Sequence, residues 1–243
     1  MDIMEKFRDT IENAFAAAAK RGEVQDSTQP EPEPIEQQLD KAKRHIESNL
    51  DMRQYDRSGI ESRYWDFMIQ LSAERLVKFS LGGKTSVGRL TDDNVGFILM
   101  GKPRSGKTFL MRILADIKAI PIPVGEAIIK NDFQAGGLDR LFATYPALRS
   151  RDFTLDDLGI VGDARSFGNS GMIENILFER YEHWQGRGSC TTFISSNLEN
   201  YEQLKSRYGG QIANRIADMC VMIPVNGGNR GESALKRYIV HAN

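Results

Sequence analysis

Gly96-Phe97-Ile98-Leu99-Met100-Gly101-Lys102-Pro103-Arg104-Ser105-Gly106-Lys107-Thr108 is five apolar residues running straight into a loop of the pattern GxxxxGK[ST]. A short continuous apolar run of this kind reads as a buried strand. Beyond the loop, Phe109, Leu110, Ile113, Leu114 and Ile117 recur at helical spacing. Strand, glycine-containing loop, helix is the order that binds a phosphate: glycines let backbone N–H groups turn inward, and the helix adds its positive dipole end. The competing reading is a glycine-containing turn before an ordinary helix, and the buried strand and apolar-faced helix on either side argue against it. Lys107 is then expected to reach the β- and γ-phosphates of ATP and Thr108 to ligate Mg²⁺. The binding set is Gly101, Lys102, Pro103, Arg104, Ser105, Gly106, Lys107 and Thr108, with Phe109 just inside the helix. Arg104 stands where many such loops carry another glycine, so its side chain must point to solvent or onto a neighbour.

Two further strand ends carry chemistry. Phe153-Thr154-Leu155 ends in Asp156-Asp157, 48 residues after Thr108. A carboxylate at the tip of a central strand beside a phosphate loop can hold Mg²⁺, and a second one next to it can deprotonate an attacking water. Asp156 is therefore the expected metal partner, together with Thr108, and Asp157 the expected general base; a solvated acidic turn before Gly159 is the alternative. Phe193-Ile194-Ser195-Ser196-Asn197 is another apolar strand ending in polar residues. In a parallel sheet the ligand lies at the carboxyl ends of the strands, which puts Asn197 near the γ-phosphate. Equally, Asn197 could cap a helix near Glu199–Lys205.

The rest of the chain fills in an α/β domain. Strands are expected at Ile120–Val124, shortened or pushed to an edge by its two prolines, and at Cys220–Val225. Helices are expected over Ile35–Leu50, Tyr64–Phe79, in pieces over Gly125–Tyr145, and over Gly171–Trp184, with an irregular stretch from Arg53 to Arg63. Alternating strands and helices predict a largely parallel sheet covered on both faces. Residues 1–24 read as an amphipathic helix with an apolar stripe of Met4, Phe7, Ile11, Ala14, Phe15 and Ala18. Residues 25–38, rich in Pro, Glu, Ser and Gln, read as a flexible acidic linker, 39–57 as a helical connector, and 58–243 as the catalytic domain. The stripe packs on its own domain or docks into a partner's groove.

Net charge is −1, but residues 1–40 hold ten acids against four bases, leaving the remainder with about five excess positive charges. That balance permits contact with a nucleic-acid backbone without demanding it. Cys190 and Cys220 form no CxxC pair, and His45, His183 and His241 are scattered. Buried, reduced thiols are expected, and a zinc site is not. With no secretory signal and no apolar run of about 20 residues, a cytoplasmic protein without membrane contact is expected.

Gly101–Thr108, Leu155-Asp156-Asp157-Leu158-Gly159 and Ser195-Ser196-Asn197-Leu198 together resemble the AAA+ ATPases of the bacterial helicase-loader group, which takes in DnaC-type, DnaI-type and IstB-type proteins. Phe178-Glu179-Arg180-Tyr181-Glu182 and Ser58-Gly59-Ile60-Glu61-Ser62-Arg63-Tyr64 are similar to that group as well, so the likeness runs in order from Ser58 to Arg230. It implies a P-loop NTPase sheet flanked by helices, a small or absent lid, and a helical N-terminal extension that grips a partner. Tyr208–Ile216 resembles the family segment carrying an arginine finger, which implies that Arg215 acts on the ATP of a neighbouring subunit in a nucleotide-dependent homo-oligomer. Gly227-Gly228-Asn229-Arg230 resembles the position of a second sensor arginine, with Arg237 a rival. The catalytic set implied is Lys107, Asp157, Asn197 and Arg215, with Arg230 on the γ-phosphate. The function implied is ATP-dependent loading of a replicative helicase with single-stranded DNA. The alternatives are an IstB-like transposition ATPase that binds duplex DNA and recruits a transposase, or a weakly hydrolysing nucleotide-switched adaptor. In related initiators the region holding Lys130, Arg140, Arg149 and Arg151 faces DNA, with Phe133 and Tyr145 available for stacking on bases.

Overall fold

The computed structural model describes residues 33–83, 85–159, 171–186 and 190–227. The expected helix at 1–24, most of the 25–38 segment, the lid region, Arg230 and Arg237 lie outside those residues. The description below is of the compact unit that begins at Pro34.

Helix α1 spans Ile35–Met52 and α2 spans Ser62–Ser80, with a turn α3 at Arg89–Asp92. Strand β1 is Gly96–Met100, followed by α4 at Lys107–Asp116. Strand β2 is only Val124–Gly125. Helix α5 covers Glu126–Thr144, α6 Ala147–Ser150, and β3 Phe153–Leu158. Then come α7 at Met172–Gln185, β4 at Thr192–Ser196, α8 at Tyr201–Tyr208, α9 at Gly210–Met219 and β5 at Cys220–Pro224.

The five strands form one parallel sheet in the order β2-β3-β4-β1-β5. Successive side chains on a strand point to opposite faces, and β1 divides accordingly. Phe97 and Leu99 enter a core made with α1, α2 and α4, whereas Ile98 and Met100 enter a second core made with α5, α7, α8 and α9. Both faces of β1 are therefore dry, which is why it reads as an unbroken apolar run rather than an alternating one. Ile46 and Leu50 of α1 belong to the first core, so this helix is part of the domain's packing.

Three expectations need correction. The strand expected at Ile120–Val124 shrinks to two residues and starts later, because Pro121 and Pro123 have no N–H to give a ladder. The strand expected to stop at Leu155 continues to Leu158, and its pairing with β4 slips between Leu155 and Leu158. The helix near Glu199–Lys205 begins at Tyr201, and its cap is Asn200, whose side chain accepts from Gln203 N at 3.0 Å. Asn197 is thus released from the capping role. Helix α5 breaks at Gly136-Gly137, where Gly137 has φ +70°.

Candidate nucleotide site

The sheet order sets the site. Strand β4 lies between β1 and β3, so its carboxyl end stands between the phosphate loop leaving β1 and the aspartates of β3. Hydrogen bonds join the three tips. Gly101 N donates to Leu198 O at 3.2 Å, Asn197 N to Leu158 O at 3.4 Å, and Ser196 Oγ to Leu158 O at 2.8 Å.

Gly101 has to be glycine because a Cβ there would lie 2.3 Å from Val225 O. Gly106, at φ +94°, caps α4 in a left-handed conformation that a side chain would resist. Arg104 sits at φ +67°. This is the position where many loops carry glycine; here the arginine accepts a left-handed backbone and its side chain is exposed.

Lys107 is buried, and its Nζ donates to Gly101 O at 2.7 Å, Lys102 O at 2.8 Å and Ser105 Oγ at 3.2 Å. Burial lowers its pKa, opposed by the negative charges of Asp157, Asp156 and Glu199. An ammonium desolvated in this way has most to gain from a polyanion. Thr108 Oγ1 lies 3.0 Å from Asp156 Oδ1. A hydroxyl and a carboxylate are the hard oxygen donors that Mg²⁺ takes alongside phosphate and water, so these two residues fit that ion. Among the described residues no cluster of three or more His, Cys, Asp or Glu competes for a metal.

Asp156 and Asp157 face different surroundings. Asp156 is 6% exposed and also accepts from Ser195 Oγ. Asp157 lies where the β3–β4 pairing slips, at φ +65°, with its N donating to Ser195 Oγ at 2.9 Å. Bulges and left-handed non-glycine residues re-aim a side chain at a strand end, and here they give two adjacent carboxylates different surroundings. Burial and then the neighbouring Asp156 raise the Asp157 pKa; Lys107, Arg112 and a hydrogen bond from the Asn197 side chain pull the other way. The fold thus brings Lys107, Thr108, Asp156, Asp157 and Asn197 to one place.

Arg215 is elsewhere. On α9, its guanidinium stacks 3.7 Å from the centroid of Phe178 and 5.1 Å from that of Tyr181, both on α7. Its Nη1 is buried with no hydrogen-bond partner among the described residues. Phe109, half exposed at the loop's exit, stacks with Tyr55, which stacks in turn with Trp65. Arg149 pairs with Glu179 at 3.3 Å, and Tyr145 donates to Asp132 at 2.7 Å. Phe133 and Tyr145 pack against the second core rather than standing free.

No protein-family model and no curated protein matches the sequence. Solved structures do match. The crystal structure of the DnaC helicase loader is 19% identical over 67% of this chain and 98% of that chain, with a TM-score of 0.42. The crystal structure of DnaI is 20% identical over 66% of this chain and 84% of that one, with a TM-score of 0.43. The α/β fold expected from the sequence, a parallel sheet flanked by helices, is the one present.

Four site residues escaped the sequence reading: Ser195, Arg112, Glu199 and Glu126. Ser195 lay inside a quoted motif without a role, yet it contacts both aspartates. Arg112 and Glu199 act through charge on Asp157 and Lys107. Glu126, buried at the start of α5, accepts from Gly159 N at 2.8 Å. Nothing local marks any of the four.

Proposed function

We propose that this protein is an ATPase that acts in DNA replication as a helicase-loader-like factor, binding ATP with Mg²⁺, single-stranded DNA and a replicative helicase. The observation that carries the ATPase reading is the convergence of Lys107, Thr108, Asp156, Asp157 and Asn197 at the carboxyl ends of β1, β3 and β4. Backbone N–H groups of Gly101–Thr108 and the N-terminus of α4 cradle the phosphates, and Lys107 trades its loop carbonyls for β- and γ-oxygens. Thr108 and Asp156 would hold the Mg²⁺, which would supply positive charge against the phosphates. Asp157 takes a proton from a water whose oxygen bonds to the γ-phosphorus, Asn197 steadies the carboxylate, and the bond from that phosphorus to the β-phosphate oxygen breaks to leave ADP and phosphate. A carboxylate raised by burial is a better base than an exposed one. Arg215 serves the ATP of a neighbouring subunit; to do so it leaves the rings of Phe178 and Tyr181 on α7.

The loader assignment rests on the collinear sequence resemblance from Ser58 to Arg230. Fluorescence anisotropy with a labelled single strand and its duplex, with and without a slowly hydrolysed ATP analogue at fixed salt, tests it. Nucleotide-dependent preference for the single strand is expected. Preference for duplex would point instead to a transposition ATPase, and no binding to either would leave a nucleotide-switched adaptor.

A further inference from the structure

The slipped end of β3 that carries Asp157 is clamped from two sides. On one side β4 holds it: Ser195 Oγ accepts from Asp157 N at 2.9 Å, and Ser196 Oγ donates to Leu158 O at 2.8 Å. On the other side stands Glu126. Pairing of Gly125 with Asp156 brings the end of β2 level with the two aspartates, and Glu126 follows directly. Its carboxylate is 5% exposed, with Oε2 accepting the Gly159 N–H at 2.8 Å and Oε1 lying 3.5 Å from the Tyr208 hydroxyl at the end of α8. Asp157 at φ +65° and Gly159 at φ +91° are both left-handed, and the pairing with β4 slips between Leu155 and Leu158, so the regular ladder alone does not define this strand end. A buried carboxylate bonded to a backbone N–H is a strong anchor for such a segment.

We infer that Glu126 is a positioning residue for hydrolysis: by holding the Gly159 N–H it fixes the Asp157-Leu158-Gly159 end of β3 and so aims the Asp157 carboxylate at the attacking water. Through Tyr208 the same carboxylate ties that strand end to the Gly209-Gly210 joint that leads into α9, the helix of Arg215. The inference rests on the ATPase reading above. It requires that Glu126 affect turnover and not nucleotide capture, because Lys107 and Thr108 are held by other contacts.

The test compares the full chain carrying Glu126→Ala, Glu126→Gln or Tyr208→Phe with wild type and Asp157→Asn, reading ATP affinity, kcat and melting temperature for each. Glu126→Ala is expected to lower kcat by about 10- to 100-fold, the scale of a misplaced catalytic group, with ATP affinity within about threefold of wild type. Glu126→Gln keeps an acceptor for Gly159 N and is expected to recover most of kcat; Tyr208→Phe is expected to fall between. If Glu126→Ala does not fold, Glu126→Asp replaces it: shorter by one methylene, it is expected to lose kcat while binding ATP. A folded Glu126→Ala (or Glu126→Asp) with wild-type kcat, or equal losses of affinity and kcat, would overturn the inference. So would a Glu126→Gln variant as impaired as Glu126→Ala. Absence of ATP turnover in the wild type would instead sink the ATPase reading, and wild-type turnover by Asp157→Asn would sink Asp157 as the base, so those failures are distinguishable from a failure at Glu126.

Discussion

Asp157 is placed at some expense to the folded state. Burial and the adjacent Asp156 hold its pKa above the ordinary aspartate value. With the folded-state pKa above the unfolded one, the unfolded chain gives up its proton first as pH rises. The carboxyl therefore detracts from stability above the ordinary aspartate range and ceases to do so once both states are protonated. Asp157→Asn is thus expected to raise the melting temperature at pH 7 while abolishing turnover, and the gain should shrink as pH falls toward 4. Thermal melts of both proteins across that range check it; a variant that melts lower at pH 7 would contradict the electrostatic account. Arg104 is a second residue in a sparsely used conformation, at φ +67°. Arg104→Gly should fold at least as well as wild type, whereas the β-branched Arg104→Val should lose about 1–2 kcal/mol of stability and bind ATP less tightly, as read by denaturant unfolding and by titration.

The elements that build the site were legible where their signals were local. GFILM, the GK[ST] loop and the apolar face of Phe109–Ile117 specify β1, the loop and α4 because strand and helix periods are written in adjacent residues. The aspartates and Ser195-Ser196-Asn197 were readable as polar ends of apolar strands. The slip in β3 was not, because it depends on hydrogen bonds from β4 that lie 38 residues away in sequence. Asn197 and Asn200 look alike as caps until the first turn of α8 is located. Glu126 was invisible because its partners are 33 and 82 residues distant. Arg180 makes the same point for packing: buried on α7, it donates to Ala147, Leu148, Arg151 and Thr191 carbonyls and to Thr192 Oγ1, joining α6, α7 and the start of β4. Arg180→Met should cost at least about 3 kcal/mol by stranding those acceptors, and Arg180→Lys should not rescue it, since three donors on one atom cannot reach five acceptors. Chemical denaturation of the two variants decides this.

At the scale of the molecule, α1 and α2 share a core with β1 and α4, so the segment between them, Tyr55 to Ile60, is packed against the half of the domain that holds the Gly101–Thr108 loop. Asn226 N donates to Gly59 O at 2.8 Å, tying that segment to the exit of β5. Among the described residues no helix is long and apolar enough to cross a membrane. Nucleotide that binds the folded loop and not the unfolded chain must stabilise the whole unit. ATP with Mg²⁺ at 100 times its Kd is expected to add about 2.7 kcal/mol, and Lys107→Ala to abolish that gain. A melting temperature indifferent to ATP in the wild type would argue against the site.

The most direct measurement is steady-state ATP hydrolysis by the full chain with Mg²⁺, wild type beside Asp157→Asn, with ATP binding titrated on both. Turnover by the wild type, with retained binding and at least a hundredfold loss of kcat in Asp157→Asn, is the result expected if Lys107, Thr108, Asp156 and Asp157 form one catalytic centre. Hydrolysis that proceeds equally in both proteins would contradict it.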